Sequence, residues 1–517
     1  MYRDLFSVAG LTLLSRVTGF LRDVMLGAVL GAGLAADAFY VAFRLPNHFR
    51  AIFGEGAFNA AFVPSYSRVL ETKGGGEAKG FASQIFTLLL ASQVVTLALA
   101  WAFTPQLVGL LAPGFADDPA KFDLAVELTR ITFPYLLFIT LVTLHTGALN
   151  ANRRFAVGAF APVLLNVAMM ATLALAFLFP SASHAAAWGV TISGALQFAW
   201  LTWSAMRAGA LGVLTRPRWT PDVKRFFTAL APAVIGSAGF QIAVFADTII
   251  ASLLPTGAVS SIYYADRIYQ LPIGVIGIAA GTVLLPEMSR RFAAGDSGAA
   301  YHAQNRTMAL TIALSAPFFV AFLLVPREIM RGVFLRGAFT DDAATASAEV
   351  LASYGIGLMA ITLIASARAS FQSRGDTRTP MMVSLAAVAL NVVLKLALYQ
   401  PLGAPGLAFA TAVGAWINLA ALLFLALRQG SMRPDATLGK VCVSVAVASL
   451  ALCFVAWVGR EPALAAGRAW GHFEAETGLA LLGVVGGFAY GAVLMVLFRL
   501  LGVRLARPRA EKKGGVS

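Results

Sequence analysis

The chain has 517 residues, of which 59% are apolar and 12% charged, with a mean hydropathy of +0.77. A soluble chain is about half apolar and about a quarter charged, so a soluble enzyme, a disordered chain and a collagenous one are excluded and a polytopic membrane protein remains. The formal charge of +14 comes from 39 Lys and Arg against 25 Asp and Glu. The basic residues lie mostly between apolar runs, so their expected partner is the membrane surface and not nucleic acid.

A bilayer core takes about 20 apolar residues per helix. Fourteen such runs are predicted, at 5-30, 36-66, 81-112, 124-149, 157-179, 185-206, 224-253, 259-288, 306-326, 346-372, 380-400, 405-427, 438-458 and 477-501. The connections are mostly short, so no extramembrane domain is expected. The predicted fold class is therefore an all-α polytopic membrane protein. No cleavable signal peptide is predicted, because the first run continues past Arg16 and Arg22.

With a cytoplasmic N-terminus, 25 basic residues face the cytoplasm, among them Arg153, Arg154, Arg290, Arg291 and the tail residues Arg504 to Lys513. Only Lys121, Arg327, Arg331, Arg336, Arg460 and Arg468 then face outward. That asymmetry predicts both termini in the cytoplasm of a bacterial inner-membrane, multi-pass protein. Residues 326-342 carry three of the outer arginines and are expected to form an amphipathic interfacial turn.

The second and eighth runs echo one another. Ala36-Asp37, Leu45-Pro46 and Pro64-Ser65 through Arg68 describe one; Ala265-Asp266, Leu271-Pro272 and Pro286 through Ser289-Arg290 describe the other. A second echo joins Pro162 and Asn166-Val167 to Pro380 and Asn391-Val392. The expected organisation is two six-helix lobes, related by a pseudo-two-fold along the membrane normal, plus two C-terminal helices. The expected domains are 1-220 (spans 1-6), 221-430 (spans 7-12), 431-503 (spans 13 and 14) and a basic tail, 504-517.

The charges inside the apolar runs carry the chemistry. A charge at the bilayer centre costs roughly 2.5-3.5 kcal/mol on insertion scales, so such residues face a cavity and serve function. The first two spans hold Arg16, Arg22, Arg44 and Arg50, a summed penalty on the order of 10 kcal/mol. They are expected to line a wet, cationic cavity, offset by Asp23, Asp37, Glu55 and Asp266, with Arg267 beside the last. On an ideal helix Asp37, Arg44 and Glu55 share a stripe, although Pro46 re-aims whatever follows it. Arginine's planar fork binds phosphate bidentately, so the cluster suits an anionic, phosphate-bearing substrate. The structural alternative pairs Arg22 with Glu55, or Arg267 with Asp37, between helices.

A second polar cluster comprises Asp247, Asn391, Lys395 and Thr411. It is either a buried Asp247-Lys395 pair or a coupling site in which the ammonium replaces a bound cation. Cys442 and Cys453, eleven residues apart on one helix, rise about 16 Å, too far for a disulfide. No P-loop, nucleophile elbow or metal-spaced His/Cys cluster occurs, so neither a cofactor nor a metal is expected and the chain reads as a transporter.

Ser15-Arg16-Val17-Thr18-Gly19-Phe20-Leu21-Arg22-Asp23, Asp37-Ala38-Phe39, Phe43-Arg44-Leu45-Pro46-Asn47, Glu55-Gly56-Ala57-Phe58 and Ala61-Phe62-Val63-Pro64 closely resemble the MurJ (MviN) lipid II flippases, and Tyr264-Ala265-Asp266-Arg267 with Leu271-Pro272 continues the likeness. The resemblance implies the multidrug/oligosaccharidyl-lipid/polysaccharide flippase superfamily fold, with a central cavity and a lipid-tail groove on spans 13 and 14. It implies lipid II, undecaprenyl-diphosphate carrying a disaccharide-pentapeptide, as substrate, and a role in peptidoglycan synthesis, cell-wall biogenesis and cell shape. It implies substrate contacts at Arg16, Arg22, Asp37, Arg50, Glu55 and Arg267; Asn47 and Asp266 join them by position in the same motifs. The partners expected are lipid II, membrane lipids and the cell-wall synthesis machinery, with the chain itself monomeric. Two departures stand out. Arg50 is followed by Ala51 where the family often has a second arginine, and Lys395 stands where some members place an acidic residue of a sodium site.

A drug/cation antiporter would hold isolated carboxylates instead of an arginine excess. A flippase for another polyprenyl-diphosphate-linked oligosaccharide is the closer alternative. A polyprenyl diphosphate phosphatase would need a nucleophile or base beside the arginines, and none is apparent.

Overall fold

The computed structural model describes residues 2-55, 57-469 and 473-503, with the side chains of 2-6, 49, 51-57 and 235-243 outside that description. The expected basic tail, 504-517, therefore lies outside the described residues. Among those described, the chain is α-helical with short 3-10 and π segments and no strand. Among the described residues the predicted apolar runs are mostly helical, with breaks at Phe103, Phe133 and Leu175, and nine helical segments are long and apolar enough to cross a membrane. Two compact units form, residues 1-264 with 334-343, and residues 265-333 with 344-517. Within the first unit, α10 (Pro221–Ser252) packs on α3 (Ala57–Lys73).

The first unit contains α1 (Tyr2–Leu30), α2 (Leu34–Glu55), α3 (Ala57–Lys73), α4 (Gly75–Ala102), α5 (Thr104–Leu111), α6 (Pro119–Thr132), α7 (Pro134–Ala151), α8 (Phe155–Ala174), α9 (Ala182–Arg207) and α10 (Pro221–Ser252). Local sequence explains several starts. Asp118, Ser181 and Thr220 accept backbone N–H groups at the heads of α6, α9 and α10, and Pro119 and Pro221 occupy first-turn positions where no N–H is missed. Lipid tails are as apolar as leucine, so close packing holds membrane helices together instead of burial from water. The core accordingly stacks aromatics, with Phe58, Phe62, Phe81 and Phe226 all within ring contact. Gly147 abuts Phe62 so closely that a Cβ there would lie 2.7 Å from the ring. Gly31, at a φ of 69°, follows the end of α1, where a Cβ would meet the Ala338 carbonyl oxygen at 2.5 Å.

The second unit holds most of α11 (Ala258–Pro272), then α12 (Ile278–Ala293), α13 (Ser297–Leu324), α14 (Pro326–Phe334), α15 (Asp341–Gln372), α16 (Arg378–Arg428), α17 (Ala436–Arg468) and α18 (Glu474–Leu500). A π turn, Ile273–Gly277, separates α11 from α12 immediately after Pro272, whose missing N–H breaks the regular ladder. α16 is two rods joined at Gly403, whose φ of 60° and ψ of −142° are not helical, so the eleventh and twelfth runs are separate helices. The Asn391 amide of one rod donates to the Ala410 carbonyl of the other at 3.0 Å. Residues 326-334, expected as an interfacial turn, form a short helix. Its Glu328 meets Arg460 of α17 at 2.5 Å.

Candidate functional site

In α1 the Arg22 side chain is buried and all three of its guanidinium nitrogens are engaged. Nε and Nη2 both donate to Asp23 Oδ1, at 3.1 and 2.7 Å, and Nη1 donates to Asn166 Oδ1 at 3.0 Å. Tyr263 adds its hydroxyl to the same Asp23 oxygen at 3.0 Å. Asn166 is itself oriented, because its amide nitrogen donates to the Ser15 carbonyl and the Thr18 hydroxyl, each at 3.0 Å. The α8 asparagine thus fixes the α1 guanidinium in one direction. Arg16, six residues earlier on the same helix, is exposed. The two arginines differ in exposure: Arg22 is buried and Arg16 is exposed.

Asp37 opens α2 and is completely buried. Its Oδ1 accepts the Ser260 backbone N–H at 2.8 Å and the Ser260 hydroxyl at 2.7 Å; its Oδ2 accepts the Gly257 N–H at 2.8 Å and Lys121 Nζ at 3.0 Å. The carboxylate therefore sits on the amino end of α11, where the helix dipole favours an anion. Lys121 is also buried and lies 4.1 Å above the Phe115 ring centroid. Its ammonium stands in the first turn of α6, against that helix's dipole, and Asp37 supplies the compensation. This arrangement closes a knot of charge with four bonds to one carboxylate.

Asn47 and Arg50 lie one turn apart on α2, with Arg50 Nε donating to Asn47 Oδ1 at 3.3 Å. Arg44 instead ties α2 to α10, donating to the Thr248 hydroxyl at 2.7 Å and the Val244 carbonyl at 3.5 Å. The Glu55 side chain lies outside the described residues. In the second unit Asp266 and Arg267 are each 30% exposed at the side chain and stand 4.0 Å apart, and Gln270 donates to Asp266 at 2.5 Å. The other predicted cluster draws on both units. Asp247 belongs to the first unit, and Asn391, Lys395 and Thr411 to the second. Asn391 braces the two rods of α16, Thr411 donates to the Leu407 carbonyl of its own helix at 3.0 Å, and Lys395 is buried.

Residues that sequence reasoning did not single out complete these sites. Lys121 was expected in an outer connection, and Asn166 appeared only as part of a repeat. A signal for Lys121 existed: a lysine just after Asp118-Pro119 sits in a helix's first turn, where it is disfavoured without an acidic partner.

Against this geometry, the family model described as lipid II flippase MurJ matches residues 26–467. The chain belongs to the lipid II flippase MurJ family. A probable lipid II flippase MurJ of Rhizobium meliloti is 43% identical over 427 residues, covering 81% of this chain and 79% of that protein. The MurJ of Burkholderia cenocepacia is 36% identical, covering 83% and 84%, and a probable MurJ of Vibrio cholerae is 35% identical, covering 96% and 95%. The fold is similar to that of a lipid II flippase MurJ in an inward closed conformation, with a TM-score of 0.80 at 23% identity over 96% of this chain and 99% of that one. It is also similar to an inward-facing multidrug-resistance MATE transporter of the MOP superfamily, with a TM-score of 0.66 at 13% identity over 82% and 97%. The MurJ family and the apolar helices together make this a multi-pass protein of the bacterial inner membrane.

Proposed function

We propose that the chain flips lipid II from the cytoplasmic to the outer leaflet by alternating access, supplying cell-wall synthesis. The observation that carries this is the family match across residues 26–467. The physical problem is a charged diphosphate and a large sugar-peptide head that must cross hydrocarbon while the lipid tail stays in it. Fixed guanidinium donors replace the lost hydration of the phosphates. Arg16 and Arg267, which retain exposure, make direct contact with the diphosphate; Arg22, held by Asp23 and Asn166, adds a preoriented donor edge, and Arg50 with Asn47 serves the anionic head, which carries peptide carboxylates as well as the diphosphate. Asp266 tunes Arg267, and Glu55 is proposed as a counter-charge. Asp37 acts by holding the start of α11 in place.

Fourteen crossings, both termini in the cytoplasm, a monomeric state, a tail groove on α17 and α18 and contact with the cell-wall synthesis machinery belong to the same proposal. So does the role of Asp247, Asn391, Lys395 and Thr411 as a coupling region. The sequence carries no ATP-binding motif, so the energy comes from an ion gradient, the membrane potential, or substrate supply and removal. Each net charge moved is worth about 2.3 kcal/mol per 100 mV. Complementation of a lipid II flippase depletion strain tests the proposal: this chain is expected to restore growth and shape. Failure to do so at normal membrane levels, with rescue of an O-antigen flippase mutant, would assign it another polyprenyl-diphosphate-linked oligosaccharide.

A further inference from the structure

Inside the first unit, α2, α7, α8 and α9 enclose a cavity of about 140 Å³ that opens on one side. That is close to the roughly 150 Å³ that accommodates one benzene-sized group. Most of its wall is apolar, contributed by residues such as Ile139, Ala161 and Leu165. Tyr135, Thr143 and Thr146 add hydroxyls to that wall, and three further polar features interrupt it. Arg50 brings the only charge among the lining residues. Gln197 is 1% exposed, and its side-chain amide nitrogen has no hydrogen-bond partner. Pro162 has no N–H and so cannot donate to the carbonyl of Gly158, another lining residue. Gly158 also packs tightly against Thr146, whose methyl would lie 2.6 Å from a Cβ placed there.

A buried amide without a partner costs about 1–3 kcal/mol, and a proline that strips a carbonyl inside a helix adds to that cost. A ligand that satisfies both removes the penalty. Hydrocarbon from a lipid tail would leave the amide and the carbonyl unpaired. A diphosphate would find one guanidinium and an apolar wall, and a substituted sugar ring exceeds the volume. A peptide's C-terminal residue with a methyl-sized side chain fits each feature. Its carboxylate meets Arg50, its amide N–H meets the Gly158 carbonyl, the preceding carbonyl accepts from Gln197, and its methyl group rests on the apolar wall.

We infer that this cavity is a subsite for the free C-terminal end of the substrate's peptide, which makes Gln197 a specificity-determining residue; the inference rests on lipid II being the substrate. The test measures binding to the full-length purified protein of lipid II bearing the pentapeptide, of the same lipid shortened to a tripeptide, and of the pentapeptide form with its terminal carboxyl amidated. The wild type is expected to prefer the free pentapeptide form by about tenfold over both others, the equivalent of one charge-assisted hydrogen bond. Ala161→Leu, which fills the cavity, is expected to bring both ratios close to one, and Gln197→Leu, which removes the donor to the preceding carbonyl, to reduce the preference over the tripeptide form, while tripeptide binding is retained, which also reports a folded protein. Equal wild-type binding of all three lipids, or a preference that survives both substitutions, overturns the subsite. Wild-type protein that binds none of the three overturns the functional proposal itself.

Discussion

Two charged regions of the first unit, both built on helices that cross apolar surroundings, solve the same electrostatic problem differently. Asp37 and Lys121 form a closed knot: both are buried, and one carboxylate takes two backbone N–H groups, a hydroxyl and an ammonium. The α1 region is half closed. Arg22 is held by Asp23 and Asn166, whereas Arg16 keeps its exposure. The contrast teaches that a charge in a membrane helix marks a ligand site only when exposure is left over after its neighbours are satisfied. On the proposed reading, Asp37 is an anchor, Arg16 and Arg267 are contacts, and Arg22 stands between the two.

The largest expected effect breaks the knot. Asp37→Ala leaves a buried ammonium without its partner, which costs roughly 3–5 kcal/mol. Thermal unfolding of purified protein is the measure, and Asp37→Ala/Lys121→Ala is expected to lose less than the sum of the two single variants. If Asp37→Ala instead unfolds like wild type and loses only flipping, Asp37 joins the contacts and the contrast fails.

A smaller effect sharpens the other side. Asn166→Leu removes the bond to Arg22 Nη1 and both bonds to α1. Interhelical bonds in membranes average about 0.6 kcal/mol, while orphaning a buried partner costs about 1–3 kcal/mol, so a loss of about 1–2 kcal/mol is expected. Lipid II binding should weaken as well, because Arg22 loses its orientation. Unchanged binding would show that Arg22 belongs with the closed knot.

Much of this was legible in the sequence. Composition and apolar run length place the helices, Asp118-Pro119 and Thr220-Pro221 start two of them, and Pro272 breaks the eighth span where its missing N–H demands it. Arg16, Arg22 and Arg267 stand out because charge is costly in hydrocarbon. Lys121 reads from sequence as an outward-facing connection because its partner, Asp37, is 84 residues away, and periodicity carries no information about such pairing. Gln197 escaped notice for the same reason, since a lone glutamine acquires meaning only from the cavity it lines.

The smallest effect lies outside the membrane-spanning segments. Asp376 accepts the Thr379 backbone N–H at 3.0 Å at the head of α16, and these hydrogen bonds hold its carboxyl below the ordinary carboxylate value. A depressed folded-state pKa contributes stability that is present above the unfolded value of about 3.9 and is lost as pH falls through the folded value. Asp376→Asn is expected to lower the melting temperature slightly near neutrality and to converge with wild type in acid. A difference that does not depend on pH would contradict the assignment.

The central claim, that exposed guanidinium groups on membrane helices carry the diphosphate, meets its most direct test in a leaflet-resolved lipid II assay in flippase-depleted cells. Wild type is expected to deliver lipid II to the outer leaflet, while Arg16→Ala and Arg267→Ala reach normal membrane levels and leave it in the inner one. Full flipping by both variants at those levels would contradict the account.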